Sequence, residues 1–152
     1  MPQRTTQIIH IGAPIERVYS ELTNFAHYPS VFPGITSVDT STPDQLQWEL
    51  KGPLGATLNL STDIITQEKY HQVTWNSRQQ SAITTSGQIV LAPLADNQTH
   101  VAVTFQYDPP AGALGEALAH VIANPATALE QVLKQFKQHI EATSSREHGG
   151  KA

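Results

Sequence analysis

The hydrophobic rhythm of this chain changes at one place, Tyr107-Asp108-Pro109-Pro110-Ala111-Gly112-Ala113-Leu114-Gly115. Upstream of Tyr107, apolar residues mostly alternate in short runs; downstream of Gly115 they recur at helical spacing. Proline cannot continue a strand ladder, so Pro109 and Pro110 end the last strand and stiffen the path beyond it, while Gly112 and Gly115 supply backbone freedom. A sheet of many strands closed by one terminal helix follows from this order, and such an arrangement can enclose an apolar pocket.

Local patterns fill in the frame. Residues 7–11 are apolar and β-branched and predict a first strand. Pro14 suits the first turn of a helix, and Ile15, Val18, Tyr19 and Leu22 follow helical spacing, which predicts a short amphipathic helix over 13–23. Phe25, Tyr28, Val31 and Phe32, set between Pro29 and Pro33, predict only a helical turn or two over 24–34. Strands are predicted over 35–40, 45–51, 56–66, 70–78, 83–92 and 99–107. In these, Leu46, Trp48 and Leu50 share a face, as do Leu58, Leu60 and Ile64, then Val73, Trp75 and Ser77, then Val101, Val103, Phe105 and Tyr107. Strands in sequence joined by turns make an antiparallel meander with one buried face. Residues 115–123 predict a helix broken at Asn124-Pro125, which recaps it. Leu129, Val132, Leu133, Phe136 and Ile140 then form an apolar stripe opposite Glu130, Lys134, Lys137 and Glu141. Residues 1–143 read as a single α+β domain, and 144–152 as a polar, disordered tail.

Composition removes several classes of function. Of 152 residues, 14% are charged and the formal net charge is -4, which opposes attraction to phosphate backbones, so no nucleic acid is expected. With no cysteine, disulfides, thiolate nucleophiles and thiolate-held metals are excluded. No apolar run approaches a membrane span and no signal-peptide core follows Met1, so a cytoplasmic setting is expected.

The order of a first strand, the helix "APIERVYSEL", a meander, "YDPPAGALGEALA" and "LKQFKQHIE" resembles the helix-grip superfamily, the START-related or SRPBCC proteins. Its relatives include steroidogenic lipid-transfer domains, the major birch pollen allergen, polyketide cyclase/dehydrase proteins and coenzyme Q-binding proteins. The residues that carry the likeness are Tyr107, Pro109, Pro110, Gly112, Leu114, Gly115, Pro125, Phe136, Lys137, Ile140 and Glu141, with Val73, Trp75, Gly87, Ile89 and Leu91 in the strands. The resemblance spans roughly residues 5 to 142. It implies a helix-grip α+β fold, a curved antiparallel sheet wrapped around the C-terminal helix with a cavity between them. Short helices over 13–32 would close one end, and the loop over 108–114 would lie near the mouth. The fold hosts binders, carriers and a minority of enzymes.

Within that frame the expected cavity lining is Phe32, Trp48, Leu60, Trp75, Ile89, Phe105, Tyr107, Leu114, Leu118, Val121 and Leu133. The same residues also serve as ordinary core. Of the histidines, His10, His27, His71, His100, His120, His139 and His148, none has H-x-x-x-H or H-E-x-x-H spacing, so no metal is expected and solvated surface positions are. His27 and His120 are the two that could sit near a cavity end. Glu16 and Glu21 read as outward on a surface helix, Glu49 alternates away from Trp48, and Asp63 has an outward phase in its strand. No nucleophile motif or phosphate loop is present, so neither a catalytic set nor a cofactor is expected. Three functions remain open. One is the binding or carriage of a small hydrophobic or amphipathic molecule, such as a lipid, isoprenoid or polyketide-like compound. The others are a cyclase or dehydratase acting in the same cavity, and an interaction module with a filled interior.

Overall fold

The computed structural model describes residues 3–32, 34–52, 55–78, 84–108 and 125–149. Strand β1 (Gln3–Ile11) leads into helix α1 (Ile15–Leu22), a 3-10 turn (Phe25–His27) and the short helix α2 (Tyr28–Val31). Six strands follow as a meander: β2 (Ile35–Thr42), β3 (Gln45–Lys51), β4 (Thr57–Glu68), β5 (Gln72–Ser77), β6 (Thr84–Leu94) and β7 (Gln98–Asp108). Helix α3 (Pro125–Gly149) ends the described chain. The strands form one antiparallel sheet in the order β1-β7-β6-β5-β4-β3-β2. The chain therefore starts at one edge, crosses to the other through α1 and α2, and winds back until β7 pairs with β1. The α+β helix-grip architecture is the observed one.

The core lies on one face of the sheet. Ile11, Val101, Val103, Leu91 and Val73 point onto that face and pack with Val18, Tyr19 and Leu22 of α1, with Phe32, and with Leu133, Phe136 and Ile140 of α3. Ile11, Val18, Val101 and Ile140 are fully enclosed. Each such side chain contributes roughly 1.5–3 kcal/mol by leaving water. Polar contacts then fix the helix to the end of β1. The Gly12 amide donates to Glu141 Oε2 at 2.7 Å, Lys137 Nζ donates to the His10 carbonyl at 2.8 Å, and Lys137 and Glu141 pair with each other. Burial alone would raise the Glu141 pKa; Lys137 and the Gly12 amide outweigh it and hold the carboxyl below the usual range. Buried Thr99 donates through Oγ1 to the Ala13 carbonyl at 2.8 Å and secures the turn between β1 and α1.

Several boundaries differ from the sequence pattern, each for a physical reason. β1 begins at Gln3, because its polar first residues pair through their backbones with Tyr107 to Thr104 and need no apolar phase. α1 begins at Ile15, with Pro14 as its extended N-cap rather than its first helical residue. β5 begins at Gln72, because Tyr70 takes a left-handed conformation (φ 65°) in the β4–β5 turn. Pro93 and Gln98 belong to the β6–β7 hairpin, whose reversal uses Asp96 (φ 62°) and Asn97 (φ 56°), residue types that tolerate that region. Helix α3 runs to Gly149, so the backbone of residues 144–149 is helical where a disordered tail is expected. Val132, a member of the expected stripe, is 42% exposed: the face that meets the core is narrower than the apolar face in sequence. The expected helix over 115–123 and the loop over 109–114 lie outside the described residues.

Candidate functional site

Strand register assembles a continuous inner wall. Trp48 pairs with Leu60, and two residues along β4 Thr62 pairs with Ser77. Two residues back along β5, Trp75 pairs with both Ile64 and Gly87, and Gly87 pairs with Phe105. Paired residues of antiparallel neighbours and residues two apart share a face, so Trp48, Leu60, Trp75, Ile89, Phe105 and Tyr107 all lie on the core face. Their burial is graded. Val73, Val101 and Val103 are buried, as are Tyr107, Thr85, Thr62 and Leu46 in the row at the other side. Between these two rows Phe105, Gly87, Trp75 and Ile64 are only half-buried, and Leu60, Trp48 and Ile89 are likewise.

A methyl group built on Gly87 would overlap Cζ2 and Cη2 of Trp75 and stand 2.8 Å from the Thr104 carbonyl oxygen. Glycine there lets the indole lie against the strand. Phe105 and Tyr107 stack two residues apart on β7, with centroids 5.8 Å apart and planes at 25°. At the β3 end, Phe25, Tyr28 and Phe32 form an aromatic cap on Trp48. Tyr28 meets Trp48 at 5.7 Å and Phe32 at 5.3 Å, and Phe25 meets Trp48 edge-on at 6.3 Å. The Tyr28 hydroxyl donates to the Leu22 carbonyl, and burial pushes its pKa upward, so it remains a neutral donor.

The polar side chains beside the half-buried band are hydroxyls, while the amides of Gln7 and Gln67 lie farther out on the same face. Trp48 Nε1 donates to Thr62 Oγ1 at 2.9 Å, the Thr85 amide donates to Ser77 Oγ at 2.9 Å, and Thr85 Oγ1 donates to the Gln106 carbonyl at 3.1 Å. Among the described residues, no Asp, Glu, Lys, Arg or His belongs to the inner phase of the strands. At the rim, Ser77, Thr85, Tyr107 and Asp108 border a pocket of 260 Å³. A depression of 340 Å³, which Arg4, Thr74, Gln88 and Thr104 help to line, follows mainly the outer phase of the strands, and Trp75 and Gly87 of the wall also border it.

Sequence-predicted residues distribute as follows. Phe32, Tyr107 and Leu133 are buried on the core side, and Leu133 packs in the filled core. Leu114, Leu118, Val121 and His120 lie outside the described residues. Asp63 is on the outer face, where its Oδ1 accepts from Arg78 Nε at 2.9 Å, and Glu49 accepts from Ser37. His10 and His100 pair on the outer face at 3.1 Å. Glu21 and His139 are not freely solvated: Glu21 lies 3.6 Å from Arg17 and 3.5 Å from His139, while exposed His27 lies 3.9 Å from Glu21. His27 is thus turned to Glu21 and His139, outside the aromatic cap. Thr62, Thr85, Ile64, Phe25 and Tyr28 also belong to the wall and its cap. The inward phase of β4 and β6 was the available signal for the first three.

Comparison with known proteins agrees with the architecture. The family model for polyketide cyclase/dehydrase and lipid transport matches residues 2–141. No curated protein matches the chain in sequence. A START superfamily protein from Mycobacterium smegmatis superposes with a TM-score of 0.75 at 16% identity, over 92% of this chain and 98% of that one. A protein from Thermus thermophilus gives 0.76 at 17% identity, over 93% and 99%. The Zhui aromatase/cyclase from Streptomyces sp. R1128 gives 0.65 at 15% identity, over 92% and 96%. At these identities the likeness is one of fold.

Proposed function

The chain belongs to the polyketide cyclase/dehydrase and lipid-transport family, and we propose that it binds a small hydrophobic or amphipathic molecule, a lipid, isoprenoid or polyketide-like compound, against the inner wall of its sheet. The observation that carries this reading is the half-buried apolar band of Phe105, Trp75, Ile64 and Ile89, flanked by a hydroxyl row of Ser77, Thr85 and Thr62. An apolar ligand on that band loses surface to water at about 25 cal/mol per Å². Some 300 Å² would supply roughly 7 kcal/mol, partly offset by lost ligand freedom. The hydroxyls then orient a polar head or a carbonyl without charge.

Binding or carriage is favoured over cyclase or dehydratase chemistry because the inner phase of the described wall offers hydroxyl donors and no carboxylate or imidazole to move a proton, and the carboxylate at its rim, Asp108, is exposed. The cysteine-free sequence is compatible with work in a reducing cytoplasm. Native mass spectrometry of freshly purified protein, followed by titration of the emptied protein with a fatty acid and an isoprenoid quinone, tests the reading. Expected are a co-purified apolar molecule and a saturable change in tryptophan emission. No saturable binding across a broad lipid and isoprenoid panel would overturn it, and turnover of a polyketide-like substrate would replace it with the enzyme reading.

A further inference from the structure

We propose that Glu21, His27 and His139 form a binding site for a zinc-type divalent cation on the outside of the capped end of the fold. Glu21 stands in the last turn of α1, His27 ends the 3-10 turn, and His139 projects from α3. Their ligand atoms all lie within 4.8 Å of one another. Glu21 Oε2 is the shared point, 3.5 Å from His139 Nε2 and 3.9 Å from His27 Nδ1.

Both separations exceed an N–H···O hydrogen bond of about 2.7–3.2 Å. They instead approach the edge of a tetrahedral zinc site, where bonds of about 2.0–2.1 Å put ligand atoms roughly 3.4 Å apart. The two imidazoles meet edge-on at 73° with centroids 5.7 Å apart, and one nitrogen of each lies within 3.9 Å of the same Glu21 oxygen. His27 is 49% exposed and has room for the small movement that closes the set. Arg17 stands near Glu21 Oε1 at 3.6 Å, the oxygen the ion does not need, and so orients the carboxylate from behind. One carboxylate and two neutral imidazoles suit zinc and leave a fourth position for water. An ion there would tie α1, the 3-10 turn and α3 together, clamping the cap of the fold to its grip helix. The site stands apart from the inner wall and does not depend on the ligand reading.

The metal-free full-length protein is titrated with zinc chloride by calorimetry, with cobalt absorption as a check on geometry. One equivalent should bind, with a tetrahedral cobalt spectrum and a raised melting temperature. His139→Ala and the exposed His27→Ala should each weaken zinc at least about tenfold, and the zinc-dependent shift in melting should vanish with it. His10→Ala, which disrupts the outer-face histidine pair, should leave zinc affinity unchanged. Absence of stoichiometric zinc binding would overturn the proposal. So would wild-type affinity in His27→Ala, or an affinity lost with His10→Ala instead.

Discussion

Trp75 lies across Gly87, its cross-strand partner, so closely that a single methyl group at Gly87 would overlap the indole. The ring is held against the strand and forms part of the inner wall instead of standing up from it. Gly87→Ala would meet both the ring and the Thr104 carbonyl, and the carbonyl cannot step aside as a side-chain tip could. We expect a loss of about 1–3 kcal/mol in denaturant unfolding. The loss should be smaller in a Trp75→Leu background, where only the carbonyl contact remains. A Gly87→Ala protein as stable as the parent would mean that the indole does not rest on β6.

Phe136 and Val132 test which face of α3 is gripped. Phe136 is buried at 4% exposure among the core residues, whereas Val132 is 42% exposed one turn away. Phe136→Ala should cost about 3–5 kcal/mol. Val132→Ala should stay within about 0.5 kcal/mol. Equal costs at the two positions would contradict this packing.

This pair also marks how far the sequence can be read. The shared face of Trp48 and Phe105 was legible because strand phase has a period of two and needs no knowledge of partners. The α3 stripe was legible in kind but not in width, since periodicity records which residues are apolar and not which ones another layer covers. Tyr70 looked like a strand residue; its left-handed turn position goes with an edge-on contact at 5.4 Å to Tyr19, a partner far away in the sequence. Ile65, 58% exposed, stands at a register shift in β4 that no local pattern announces. Glu21, His27 and His139 come together only through the packing of α1 and the 3-10 turn near α3, so motif spacing could not find them.

Glu141 joins α3 to β1 through the Gly12 amide and Lys137. Glu141→Gln keeps the size and one acceptor but removes the charge. Because the pair is partly exposed, the expected loss is about 1 kcal/mol. Amide hydrogen exchange gives the sharper reading: the Gly12 N–H should exchange faster while core amides such as Val101 keep their relative protection. An unchanged Gly12 rate would mean that the carboxylate does not hold that amide in solution.

The two tryptophans are the only ones in the chain, so they can report separately on the inner wall. Trp75 lies in the half-buried band, while Trp48 sits under the aromatic cap with its N–H bonded to Thr62. If an apolar ligand occupies the band, a Trp48→Phe protein should retain a saturable emission change on titration with a fatty acid or quinone, because Trp75 remains in contact. Phe105→Ala removes the ring across Gly87 from Trp75, and should change affinity about tenfold or more, equivalent to roughly 1.4 kcal/mol, while circular dichroism stays native. Outer-face Ile8→Ala is the matched control: it removes an exposed apolar side chain of the same sheet and should leave affinity unchanged. If Phe105→Ala binds like the parent, or if Ile8→Ala weakens binding, the ligand does not lie on the inner wall. The family's cavity logic would then not extend to this chain, because the band that motivates it would be ordinary, loosely covered core.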